Sequence, residues 1–190
     1  MEALQYFLQQ FPHYTPELLE EIRPHLSRRK LEAGEYLLRH GQICREVVFI
    51  EKGLLRLFYL NDGKEVTNCF CKENELATSY ASMVSVEESD IAIQAVEPTV
   101  VWAFSYDSLK ELYEQNLFWQ QLGRLAVERE LLTVEKHNRM LRDLSAMDRY
   151  KQVLEKESHL LQRVPLTYLA TYLQLTPETL SRIRSKLART

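Results

Sequence analysis

The residues best placed for recognition chemistry sit near the C-terminal end. Between Val164 and Thr190 two short helical patterns meet at a break. Thr176 is a natural N-cap, because its hydroxyl can accept an orphan backbone N–H, and Pro177 suits a first helical position where no N–H is needed. Leu169, Ala170 and Leu173 share one face of the first pattern. Leu180, Ile183 and Leu187 share one face of the second. The opposite face of the second presents Glu178, Ser181, Arg182 and Ser185. A carboxylate can accept from cytosine N4, and a guanidinium fork matches guanine O6 and N7. The layout is that of a helix-turn-helix whose second helix enters a DNA major groove.

Charge supports this reading. The chain of 190 residues carries 24 Lys and Arg against 27 Asp and Glu, a net charge of −3. From Thr176 onward the balance reverses, with Arg182, Arg184, Lys186 and Arg189 against Glu178 alone. Phosphate neutralisation needs such a local excess, whatever the overall charge. Thr176, Ser181, Arg184 and Lys186 are the expected phosphate contacts, and Thr179 lies among them on the same short helix. The alternative is an ordinary helical hairpin whose basic end complements the helix dipole.

Several chemistries are excluded. No nucleophile–base pair, metal cluster or glycine-rich phosphate loop is visible, so the chain does not read as an enzyme. Cys44, Cys69 and Cys71 are an odd set in a chain with no signal-peptide pattern, which argues against a disulfide framework. Cys69 and Cys71 lie two apart in a strand-like stretch and should point to one face as structural thiols. The five histidines are scattered, without metal-ligand spacing. No apolar run approaches the roughly 20 residues needed to cross a bilayer, so a cytoplasmic location follows by default and no membrane partner is expected.

The elements that must position the recognition helix can be read in order. Residues 1–27 look helical, with a capped start at Thr15-Pro16-Glu17 and Pro24 ending or kinking the pattern. Short strands follow at Glu35–Arg39, Glu46–Glu51, Leu54–Leu60, Lys64–Lys72, Ile91–Val96 and Thr99–Phe104, with a strong hairpin signal at Asn61-Asp62-Gly63. This spacing implies a β-sandwich or small barrel. Ser105 opens a helix, and a long one runs from Leu117 to Leu144, about 40 Å at 1.5 Å per residue. Its apolar positions include Phe118, Leu122, Leu125, Leu132, Met140, Leu141 and Leu144. A second copy of itself is the simplest cover for such a stripe, which predicts a homodimer through residues 117–144; packing along its own barrel is the alternative. Ser145-Ala-Met-Asp148 fits a capping motif, so a fresh helix over 146–160 starts there and the chain bends.

In this order the chain resembles the bacterial Crp/Fnr transcription regulators. The resemblance rests on Leu31-Glu-Ala-Gly-Glu-Tyr-Leu-Leu, Val48-Phe-Ile-Glu-Lys-Gly, Asp62-Gly-Lys-Glu, Ser105-Tyr and, most specifically, Pro177-Glu-Thr-Leu-Ser-Arg182. It implies an α+β fold: an N-terminal antiparallel β-roll or jelly roll of the cyclic-nucleotide-binding type, a long dimerisation helix, and a C-terminal all-α helix-turn-helix domain. The corresponding domains are 1–116, 117–144 and 145–190. Glu178 and Arg182 match the family's base-reading pair. A dimer would read an inverted repeat in double-stranded DNA, and RNA polymerase becomes a candidate partner.

The chain departs from the family in four places. Pro177 replaces a leading Arg. Gln174 stands at a turn position where the family often has Gly. The sequence given stops at Thr190, so most of a β-hairpin wing is expected to be lacking. The nucleotide cassette is degenerate: Thr78-Ser79 and Ser89-Asp90 stand where the family places a ribose carboxylate and a phosphate guanidinium, and Glu87, Glu88 and Asp90 would repel a cyclic phosphate. The expectation is a regulator that does not respond to cyclic AMP. No cofactor is expected, since an iron–sulfur switch wants four cysteines. An unknown small effector would sit near Thr78, Ser79, Tyr80 and Ser89; the alternative is that the barrel is an unliganded scaffold. The competing expectation is a small-ligand sensor that has lost DNA binding.

Overall fold

A computed structural model describes residues 1–188. Helices α1 (Glu2–Leu8) and α2 (Pro16–Ile22) open the chain, followed by a 3-10 turn at Arg23–His25. Pro24 falls inside that turn, so the helical reading of 1–27 resolves into two separate pieces. Strands β1 (Ser27–Leu31), β2 (Tyr36–Leu38), β3 (Glu46–Lys52), β4 (Leu55–Asn61), β5 (Lys64–Cys71) and β6 (Leu76–Ala77) come next. After helix α3 (Tyr80–Ser85) come β7 (Ile91–Ala95) and β8 (Thr99–Ser105). The strands form two four-stranded antiparallel sheets, ordered β1-β8-β3-β6 and β2-β7-β4-β5. Strands β1 and β6 escape a periodicity reading: β1 is mostly charged and exposed, and β6 has only two residues. Between the sheets lies a core that includes Val48, Ile50, Leu55, Ile93 and Val101.

Helix α4 (Tyr106–Gln115) leads into the long helix α5 (Leu117–Asp143). Asn116 caps α5 by accepting from the Phe118 N–H at 3.0 Å. The two helices cross closely at Gly123, where a Cβ would overlap the Tyr113 ring. Phe118, Trp119 and Leu122 are buried in a second core with Leu4, Leu8, Leu19 and Phe49. Residues 118 and 122 of the expected dimer stripe are thus used inside the protomer, because α1 and α2 fold back over them. Met140, another of the stripe, belongs to a third core with the C-terminal helices. What α5 leaves uncovered is Leu132 of that stripe, 54% exposed, together with Val127 41%, Leu131 58% and Val134 40%.

Ser145 caps α6 (Ala146–Lys156) through the Asp148 N–H, so the chain breaks where its capping motif says it should. The helix stops four residues short of the expected 160, and a single turn α7 (Leu160–Arg163) follows. Helices α8 (Leu166–Tyr172) and α9 (Pro177–Leu187) complete the described chain. The third core is shared across the molecule, for it joins Val153, Leu160, Leu169, Ala170, Leu173, Leu180 and Ile183 to Leu54 of the β3–β4 turn. The C-terminal helices are packed against the sheet region through this core.

Candidate nucleic-acid interface

Helix α9 is built from its cap outward. The Thr176 hydroxyl accepts from the Thr179 N–H at 3.2 Å, and Pro177 occupies the first turn. Leu180 and Ile183 turn inward and are buried. Glu178, Ser181, Arg182, Arg184, Ser185 and Lys186 are exposed, as is Thr176, while Thr179 is half-buried by its hydroxyl contact to Thr176 at 3.1 Å. Glu178 and Arg182 are one helical turn apart and lie on one exposed face. Hydrogen bonds from its own backbone N–H and the Thr176 hydroxyl hold the Glu178 carboxyl below the usual range, with Arg182 adding to the effect. It is therefore an ionised acceptor at neutral pH, as a contact to a base amine requires. Arg189, counted in the basic cluster, lies outside the described residues.

The turn between α8 and α9 places Gln174 at φ 53°. This is the left-handed conformation that glycine adopts freely, held here by a residue with a Cβ at a cost of about 1–2 kcal/mol. Arg149 fixes the pair of helices on the end of α5. Its guanidinium donates to the carbonyls of Leu141 (2.5 Å), Leu144 (3.1 Å) and Leu173 (3.0 Å). These are orphan carbonyls at or near the ends of α5 and α8, groups that need a donor when buried. Sequence reasoning passed over Arg149, which carries no local signal beyond its place one turn into α6.

The four residues expected around an effector differ in their surroundings. The Ser79 and Ser89 hydroxyls, both buried, lie 2.8 Å apart, and Ser89 is also 2.8 Å from the Ile91 carbonyl. Thr78 donates to the Glu46 carbonyl at 2.9 Å. Tyr80 is 53% exposed and turned outward. The β2–β3 connection closes over this region through backbone bonds from Gly41 N–H to the Ser89 carbonyl and from Ser89 N–H to the Gln42 carbonyl, each 2.9 Å. Glu87, Glu88 and Asp90 remain exposed on the outside. A cavity of about 290 Å³ opens beside them, lined by Leu37, Leu38, Ile43, Ala77 and Ile93 with Gln42, Arg45 and Glu46, and none of the four expected residues lines it. Among the described residues no cluster of three metal-ligating side chains occurs. No helix among them is long and apolar enough to cross a membrane.

With this geometry in hand, the relatives can be placed. Residues 28–116 match the cyclic nucleotide-binding domain family. The anaerobic regulatory protein of Bacillus subtilis is 27% identical over 101 residues, a segment that is 53% of this chain and 41% of that protein. Among solved structures, FixK2 of Bradyrhizobium japonicum superposes with a TM-score of 0.75 at 21% identity, covering 86% of this chain and 85% of that one. CLP of Xanthomonas campestris, a c-di-GMP responsive global regulator, gives 0.74 at 17% identity over 92% of each chain. Residues 28–116 are thus similar to cyclic nucleotide-binding domains, and a helical C-terminal region follows them. As a whole it has the fold of the Crp/Fnr regulators, and the resemblance drawn from its motifs is borne out.

Proposed function

We propose that the protein is a sequence-specific DNA-binding transcription regulator of the Crp/Fnr type that does not respond to cyclic AMP. The observation that carries this reading is the two-faced helix α9. Its inner face packs Leu180 and Ile183 into the third core, and its outer face offers Glu178, Ser181 and Arg182 to solvent. A helix held this way can lie in a major groove, with Arg182 forking onto guanine, Glu178 accepting from cytosine, and Thr176, Ser181, Arg184 and Lys186 meeting phosphates.

A second copy of the chain completes the reader. Val127, Leu131, Val134, Asn138 and Leu141 fall at alternating spacings of four and three along α5. That is a coiled-coil seam with one polar position, the kind that fixes register. Pairing there would present two copies of α9 to successive turns of a duplex, about 34 Å apart, and so to an inverted repeat. RNA polymerase is the partner such a regulator would meet at a promoter.

Support for the lack of cyclic AMP response is chemical. The cassette positions Thr78, Ser79 and Ser89 carry hydroxyls in place of a carboxylate and a guanidinium, and the two serines spend theirs on each other. The second reading, a ligand sensor without DNA binding, draws on the cavity beside them.

Selection of bound duplexes from a random-sequence pool decides between the two. The expected result is enrichment of an inverted repeat, bound more weakly as salt rises. Absence of any enriched sequence would refute DNA recognition and leave the sensor reading.

A further inference from the structure

We propose that Arg56 is a positioning residue, part of a two-arginine clamp that locks the C-terminal domain onto the edge of the sheet β2-β7-β4-β5 and thereby sets the orientation of α9. The proposal rests on the reading of α9 as the DNA-contacting helix.

Arg56 lies on β4 and is only 1% exposed. Its guanidinium carbon sits 3.5 Å from the centre of the Tyr168 ring on α8 and 4.0 Å from that of Phe58. A planar cation between two aromatic faces is a contact that arginine makes and lysine does not reproduce. One edge of the fork is satisfied, for Nη2 donates to Glu65 at 2.7 Å and to Gln94 at 2.8 Å. Nε and Nη1 are buried and meet no acceptor among the described residues. Unmatched N–H groups of a buried cation oppose closure, because opening the seam would give them water. The clamp is therefore closed against a cost that its ring and carboxylate contacts offset.

Arg163 reaches in the opposite direction. From the last turn of α7 it donates to Glu73 at 2.8 and 3.0 Å and to Glu97 at 2.6 and 3.2 Å, both on loops of the sandwich. Between the two arginines the seam is stitched through strand β5, the edge of its sheet. An edge strand has outward N–H groups in need of partners. Here the Thr67 N–H donates to the Thr171 hydroxyl at 3.2 Å. The sequence prepares this contact. A register shift places Leu57 opposite Cys69 and Phe58 opposite Thr67, so Asn68 is an extra residue. Such a bulge re-aims the neighbouring side chain; Cys69 and Cys71 stay with the sandwich interior while Thr67 meets α8. Because α8 and α9 share Leu169, Ala170, Leu173, Leu180 and Ile183, fixing α8 fixes α9.

The test is amide hydrogen exchange in residues 64–71 of the full-length protein, paired with affinity for the selected two-half-site duplex. Tyr168→Phe keeps the ring and should match the wild type in both. Tyr168→Leu and Arg163→Gln should speed exchange at Thr67 and weaken two-half-site binding by about tenfold, as the two helices lose their fixed spacing, with single half-site affinity unchanged. Arg56→Lys should behave as Tyr168→Leu does. Unaltered exchange in Tyr168→Leu would overturn the clamp. Faster exchange with unaltered two-half-site binding would overturn its positioning role. A wild-type protein that binds no duplex would instead overturn the reading of α9, with the exchange result still deciding whether the clamp exists.

Discussion

Helices α3 and α9 each follow a hydroxyl residue, and the comparison between them explains much of the molecule. Ser79 precedes α3 and Thr176 precedes α9. Thr176 spends its oxygen on its own helix, by accepting from Thr179 N–H, and the face beyond it stays open to solvent. Ser79 makes no such cap; it is 2% exposed and turned toward Ser89. The Ser79 and Ser89 hydroxyls are thus consumed internally, while α9 leaves its polar groups available. Satisfied buried hydroxyls build a scaffold, whereas the proposed reader keeps its charge exposed on a rigid helix. The same contrast holds for arginine: Arg182 is exposed on α9, and Arg56 is spent inside a seam.

The largest expected effect lies on the open side of the comparison. Arg182→Ala should cost about 1–3 kcal/mol in binding to the selected duplex and flatten preference at one base position. Its thermal stability should stay within about 0.5 kcal/mol, as for most surface changes. A large loss of stability with intact sequence preference would mean that Arg182 is structural. On the closed side the pattern should invert. Ser79→Ala should lower unfolding stability by about 1 kcal/mol, the usual net value of a buried hydrogen bond, and leave DNA affinity alone. Equal stability in chemical denaturation would show that the Ser79–Ser89 pair is not a scaffold.

A smaller effect concerns pH at the seam. His137 is stacked on Tyr172, ring centres 4.4 Å apart, and burial holds its imidazole below the ordinary value of 6.5. The unfolded chain then binds a proton near pH 6.5 that the folded chain resists. The contribution is complete above that pH and is lost as the solution becomes more acid. Burial raises the nearby Glu157 and Glu75 carboxyls, which act in the opposite sense. The difference between wild type and His137→Phe isolates the imidazole. The variant should gain relative stability between pH 7.5 and 5.5, and a constant difference across that range would refute the assignment. The smallest expected effect is none: millimolar cyclic AMP should not move the melting temperature. A ligand present at 100 times its Kd would add about 2.7 kcal/mol, so a clear upward shift would reopen the cassette.

Much of the architecture was legible in the linear chain. Thr176, Pro177 and Ser145 mark helix starts because capping is a local matter, settled within three or four residues. The span of α5 was readable to within one residue, and the main strands to within one or two, because periodicity is local too. The exposed face of α9 followed from the same arithmetic. Only the folded chain shows that α1 and α2 cover Phe118 and Leu122 of the expected dimer stripe on α5, while Leu132 of the same stripe stays exposed. The closure over Ser89 was not legible, because it depends on backbone bonds between residues near 41 and residues near 89.

By itself, then, the sequence determined where helices and strands begin, which faces are apolar, and that the last helix carries a carboxylate and a guanidinium one turn apart. Only the tertiary structure decided which of those faces remain available. It set Arg56 against Tyr168, paired Arg163 with acids 66 and 90 residues away, and brought Thr67 to Thr171 across 104 residues. Such pairings leave no periodic trace, because a contact between distant segments depends on how whole elements pack and not on the spacing of residues within one of them.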